Sequence, residues 1–123
     1  MSKASFYKSA RWKRLRAAIL SRDGYRCQIS ARYGKNRQAN TVHHIFPRED
    51  YPEYQWQPWN LVAVAQDVHD TLHDRTSREL TAAGRELMER TARKRGIAIN
   101  VNDNKSQPPE ISEDNRVEPA PTE

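Results

Sequence analysis

Two short stretches, TVHHIF at residues 41–46 and WNLVAV at residues 59–64, constrain the fold of this 123-residue chain more than any other feature. Both are rich in β-branched and aromatic residues and read as strands. Pro47 stops the first. The polar loop REDYPEYQWQP, with two prolines, separates it from the second. AQDVHDTLHDR follows at residues 65–75 with helical spacing. The order strand, loop, strand, helix predicts a small α+β core, with flanking helices on both sides.

The first flanking helix is expected over Ser9 to Arg22, where Trp12, Leu15 and Ile19 recur at one face and Gly24 supplies the stop. Residues 25–39 read as a loop with a turn at Gly34. Thr76 or Ser77 is expected to cap a short turn. Thr81 is expected to cap a last helix that runs to about Lys94, with Leu87 and Met88 apolar and Gly96 behind it. From about Asn102 the chain has no periodicity and is rich in Pro and Glu, which predicts disorder. The expected organisation is an N-terminal arm (1–8), one domain (9–101) and a tail (102–123).

Composition narrows the class. No run of 18 apolar residues exists, so no membrane-spanning helix is expected. The first residues are basic but lack the apolar stretch of a secretory signal. The single cysteine, Cys27, cannot form an internal disulfide, which favours a cytosolic protein. Residues 1–37 hold eleven lysines and arginines against one acid, Asp23. Residues 104–123 hold two basic residues against five acids. A basic block of this kind suits a polyanion, nucleic acid above all, although a solvated basic helix face has the same composition. Arg11, Arg14, Arg16 and Arg22 are the candidate phosphate contacts on the first helix. Arg48, just past the first strand, can steady a phosphate or form a loop salt bridge.

The chain's four histidines come in two pairs. His43 and His44 are adjacent on the first expected strand. His69 and His73 are four residues apart, on one face of the expected helix. Imidazole is the commonest side-chain ligand for borderline metals and the natural general base near neutral pH. A single pair four apart is more often a surface feature than a metal site. Two pairs on elements that pack together carry more weight. Adjacent strand residues point to opposite faces, so His43 and His44 cannot both grip one ion. They can divide the work, one facing a metal and the other a substrate beside it. That division suits phosphodiester hydrolysis, in which a metal neutralises charge and a neutral imidazole takes a proton from water.

With these residues in place, the chain resembles the HNH endonuclease family, and closely the small HNH proteins of tailed bacteriophages. The resemblance runs from about Phe6 to Arg95. It rests on FYKSARWKRLRAAILSRDGYRCQ, TVHHIFPRED and WNLVAVAQDVHDTLHDR, in which Asn60 falls between the two histidine pairs. It implies a ββα-metal finger around one divalent ion, Mg²⁺, Mn²⁺, Ni²⁺ or Zn²⁺. By the same resemblance His43, His69 and His73 are metal ligands, His44 is the general base, and Asn60 pins the loop that orients it. Double-stranded DNA is the implied substrate, with the phage large terminase subunit as a possible partner. The rival expectation is a non-catalytic DNA-binding or packaging-adaptor module on the same scaffold.

The sequence also departs from the family. Many phage relatives carry two CxxC pairs that hold a structural zinc. Here Cys27 is followed by Ser30 rather than a second cysteine, and Ala65 and Val68 stand at the other pair's positions. One thiolate cannot hold a tetrahedral zinc, so none is expected. Ala65 and Val68 are expected to pack against the Cys27 loop, and Trp12, Trp56, Trp59 and Leu61 to supply compensating burial. Tyr51 and Tyr54 are expected to form the loop wall.

Overall fold

The computed structural model describes residues 2–99. The expected tail, 102–123, and the end of the expected domain lie outside them. By internal contacts the chain divides into a unit of residues 1–91 and a second from residue 92 onward. The elements that build the site belong to the first.

Residues 1–8, expected as an arm, contain a helix, α1 (Lys3–Lys8), capped by the Ser2 hydroxyl, which accepts from the Ser5 N–H at 3.1 Å. So short a helix is not stable on propensity alone. Its anchor is Phe6, fully buried, with ring centroids 5.4 Å from Trp12 and 4.5 Å from Trp56. The expected first helix forms as α2 (Ala10–Arg22), with the Ser9 hydroxyl accepting from the Trp12 N–H. Trp12, Ile19 and Leu20 face the core. Two successive left-handed residues, Gly24 and Tyr25 (φ 65° and 58°), turn the chain away from the helix end.

The expected loop at 25–39 holds a short helix, α3 (Gln28–Arg32). It is closed at its base by a bridge between Arg26 and Gln38 and by the Cys27 N–H on the Arg37 carbonyl. Five helical residues are too few for a periodicity to reveal. Cys27, Val64 and Ala65 form a small buried cluster, with Ile29, Val62 and Val68 packed against it. Ala65 and Val68 therefore do pack on the Cys27 loop.

The two strands, β1 (Thr41–His44) and β2 (Leu61–Val64), pair antiparallel, with His43 opposite Val62 and His44 opposite Leu61. Both are shorter than the stretches that predicted them. Asn60 is the reason: its main-chain oxygen accepts from Ile45, while its side chain takes both the N–H and the carbonyl of Phe46. Trp59 and Asn60 fall in a 3₁₀ turn, Pro58–Asn60, instead of in the strand. A second such turn, Pro52–Tyr54, lies in the intervening loop. There Tyr51, Tyr54 and Trp59 ring Phe46 at centroid distances of 5.0, 5.3 and 5.8 Å, which makes the loop wall an aromatic cluster.

The helix after β2 is shorter than expected. α4 spans Gln66–Asp70 only, so His73 is not on it. The Thr71 hydroxyl donates back to the Val68 carbonyl, a local bond that competes with helix continuation, and Leu72 is pulled into the core. His73 instead pairs with Leu80 in an isolated bridge. The Asp74 carboxylate caps the following turn, accepting from the N–H groups of Thr76 and Ser77, and the Ser77 hydroxyl accepts from the Glu79 N–H at 3.3 Å. α5 (Ala82–Arg95) begins where expected, with the Thr81 hydroxyl accepting from the Gly84 N–H. That hydroxyl also donates to the Thr71 carbonyl, which ties the start of α5 to the end of α4. Glycine is required at position 84, because a β-carbon would collide with the main-chain oxygen of Leu72.

Candidate metal centre and active site

Strand alternation separates the adjacent histidines. His43 is fully buried on the side of α4, with its ring centroid 5.2 Å from His69 and 5.2 Å from His73. His69 and His73 are themselves 5.2 Å apart, so the three rings form a near-equilateral triangle. One ring nitrogen from each lies within 4.8 Å of the others. The pair thus converges as the sequence suggested, but by another route. His73 reaches the cluster from a turn held by Leu80 and Asp74, rather than from the next turn of a helix.

This geometry fits a divalent ion. Neither ring nitrogen of His43 has a hydrogen-bond partner, and a buried imidazole left that way is costly. Burial, foremost, and the neighbouring His69 and His73 push His43 well below the usual histidine range, so it is neutral and able to ligate. Burial also lowers His69 and His73. The His73 Nδ1–H donates to the Arg78 carbonyl at 3.3 Å, which leaves Nε2 free to coordinate. Three neutral imidazoles suit Zn²⁺, Ni²⁺ or Mn²⁺.

His44 lies in different surroundings. Its ring stacks on Trp12 at 5.3 Å and 19°, near Phe6 and Tyr7. Its Nε2 is 3.1 Å from the Gln55 carbonyl. A carbonyl can only accept, so Nε2 carries the proton and Nδ1 presents a lone pair. Burial lowers the His44 pKa to about 4, against the opposing pull of the Gln55 bond. The ring is therefore neutral at pH 7. The Gln55 carbonyl is held in turn by the loop that Asn60 organises, since the Asn60 amide also donates to the Tyr54 carbonyl at 3.2 Å.

Asn60 is fully buried and makes three side-chain hydrogen bonds to main chain. Replacing it with alanine leaves the Phe46 N–H orphaned beside a cavity. Asn60→Ala is expected to cost about 2–4 kcal/mol, which lowers Tm by roughly 10 °C or more in a domain this small. Thermal unfolding followed by circular dichroism measures this. A Tm within about 2 °C of wild type would contradict the role of Asn60 as the loop's anchor.

His44, His69 and His73 open onto a cavity of about 610 Å³. Lys3, Tyr7, Arg48, Arg75 and Arg78 also line it, with Glu49, Asp70 and Asp74 as its acids. Of these, Arg48 alone was singled out from sequence. Its guanidinium lies 4.2 Å from the centre of the Phe6 ring. Lys3 and Tyr7 reach the cavity because α1 is a helix where an arm is expected from sequence; the Ser2 cap ahead of KASFYK is the signal for it. Burial raises the Tyr7 phenol above its usual range.

The basic residues of α2 divide. Arg14 is exposed, and Arg11 lies over the Trp56 ring at 4.0 Å. Arg16 donates to the Asn40 carbonyl at 2.7 Å. Arg22, expected as a phosphate contact, has internal work: it pairs with Asp23 and donates to the Pro58 and Leu61 carbonyls. Asp23 in turn accepts from the Ala63 N–H, so the pair fastens the end of α2 to β2.

Two antiparallel strands, a loop and a short helix, with imidazoles from strand and helix side converging, define a ββα finger. No protein-family model matches the chain, and no curated protein sequence does. Among solved structures, the HNH endonuclease of the deep-sea thermophilic bacteriophage GVE2, solved with a manganese ion, is similar at 33% identity. The match has a TM-score of 0.53 and covers 55% of this chain and 73% of that one. The chain belongs to the HNH endonuclease family.

Proposed function

We propose that this protein is a metal-dependent DNA endonuclease that hydrolyses phosphodiester bonds. The observation that carries the reading is the pairing of two histidine environments: three neutral imidazoles around one point, and a fourth beside them with its tautomer fixed. In this reading His43, His69 and His73 would hold the ion, which would supply charge neutralisation at the scissile phosphate and the departing oxygen. His44 Nδ1 takes the proton of the attacking water. The Gln55 carbonyl holds His44 in the competent tautomer and favours the imidazolium that forms. Asn60 acts on His44 through the loop and is a positioning residue.

Arg11 and Arg14 on α2, with Arg48 at the cavity, bind phosphates of the duplex and give little sequence preference. Arg16 and Arg22 serve the fold. The solved relative's manganese makes Mn²⁺ the first metal to try. The described residues carry one such centre, so a monomer nicks, and cutting both strands requires a second copy or a partner. Work alongside a DNA-packaging enzyme belongs to the same reading and rests on the resemblance to small phage HNH proteins.

The test is a supercoiled-plasmid assay on metal-stripped protein with Mg²⁺, Mn²⁺, Ni²⁺ or Zn²⁺ added back. Conversion to open circle only with metal is expected. Plasmid that is retarded on a gel yet uncut with every metal would favour the binding-module alternative.

A further inference from the structure

The turn between His73 and α5 holds a residue that the proposed mechanism does not use. Arg78 has a left-handed backbone (φ 69°), one of two non-glycine residues so placed among the described residues. A β-carbon is disfavoured there, and residues held in such conformations cluster at functional sites. The turn fixes it from several sides. The Asp74 carboxylate caps Thr76 and Ser77, the Arg78 N–H donates to the Asp74 carbonyl at 2.9 Å, and the Asp74 N–H donates to the Glu79 carbonyl at 2.7 Å. The Arg78 carbonyl receives the His73 Nδ1–H. The side chain lines the cavity beside His69 and His73, and its charge reaches both rings and Tyr7.

We propose that Arg78 grips a phosphate of the nucleic-acid strand lying in this cavity, while its own carbonyl orients His73. The inference rests on the nuclease reading for its substrate and adds a contact to it. The chemistry is that of a guanidinium, whose planar fork matches two oxygens of one phosphate. Its position couples the two tasks. The same backbone turn that sets the His73 tautomer aims the cation at the space next to that ring, so phosphate and imidazole cluster stay in register. Of the cavity's other cations, Lys3 comes from α1, Arg48 from the loop after β1, and Arg75 from the same turn as Arg78. Arg78 is the one whose backbone also touches the imidazole triangle.

The informative variant is Arg78→Gly, because glycine adopts the left-handed backbone freely and keeps the carbonyl. Arg78→Asn, which also tolerates that backbone, is the second variant should the glycine loosen the turn. Three readouts separate grip from scaffold. Binding of each protein to a short duplex in EDTA is followed against salt, and the slope of log K on log [salt] should fall by about one phosphate contact in the variant. Mn²⁺ affinity by calorimetry should stay within about twofold, since the imidazoles and the carbonyl remain. Plasmid nicking should fall on the order of 30-fold in kcat/KM. An unchanged salt slope in both variants overturns the proposal, as does Mn²⁺ affinity that falls with cleavage, which would make Arg78 structural alone. If wild type never cuts DNA but the slope still falls in the variant, the nuclease reading fails and the phosphate grip stands.

Discussion

His44→Ala is expected to slow plasmid nicking by about 10³-fold at saturating Mn²⁺. General-base catalysis by a positioned side chain is worth roughly 10²–10⁴-fold, and the cavity's other imidazoles and its phenol are otherwise committed. His69 and His73 are assigned to the ion, and the Tyr7 phenol is held protonated by burial. The ion's affinity should change little, because the His44 ring sits against Trp12 rather than in the imidazole triangle. Truncation does remove the stacked ring from Trp12 and leaves the Gln55 carbonyl without its donor. A loss of about 1–3 kcal/mol in stability is therefore expected alongside the kinetic defect. Two controls separate the effects. His44→Gln can still donate to Gln55 but offers no basic nitrogen, so it should be nearly as stable as wild type and nearly as slow as the alanine variant. Free imidazole, which fits the space that alanine vacates, should restore part of the rate to His44→Ala and none to His44→Gln. Wild-type nicking by either variant would exclude His44 as the base.

The residues of the candidate site are legible in the sequence because their chemistry is rare. Four histidines in two pairs, with an asparagine between them, can be found without knowing a single torsion angle. The adjacent pair even carried its own geometry, since strand alternation sends neighbours to opposite faces. His43 meets His69 and His73, while His44 meets Trp12. What the pattern could not reveal was the path of the chain to His73. Spacing of four reads as one helical face, yet the Thr71 hydroxyl competes with the helix and the chain leaves it at Asp70. The spacing and the convergence were both real, but the helix between them was not.

The fold was legible where burial is periodic, as along Trp12 to Ile19, and poorly legible where one anchor decides. Phe6 alone turns an expected arm into α1, and with it brings Lys3 and Tyr7 to the cavity. Asn60 ends β1 early by taking the backbone groups of Phe46, and the 3₁₀ turn that holds it delays the start of β2. Arg22 shows the converse case. On a basic helix it looks like every other arginine, and only the two distant carbonyls it meets, on Pro58 and Leu61, mark it as structural. Side chains that act on distant backbone leave no local pattern, and these account for most of what the sequence withheld.

The second large effect expected is on stability. The buried His43 ring has two polar atoms and no partner for either, which in the metal-free protein costs about 1–3 kcal/mol. An ion that binds the folded triangle and not the unfolded chain reverses that cost. At a hundredfold excess over Kd it adds about 2.7 kcal/mol, worth on the order of 10 °C in Tm for a domain of this size. His43→Leu should invert the pattern. Leucine fills much of the same space without orphaned polar atoms, so the variant should melt at or slightly above wild type in EDTA, by up to about 5 °C. With Mn²⁺ added, wild type should overtake it, because the variant has lost a ligand. Differential scanning calorimetry of both proteins, with EDTA and with saturating Mn²⁺, reads all four values. A wild-type Tm that no divalent ion moves would exclude the triangle as a metal centre. A His43→Leu variant far less stable than wild type in EDTA would mean that the histidine serves packing first. The crossing of the two curves is the signature of a residue that lowers the stability of the empty fold for the sake of the ion it holds.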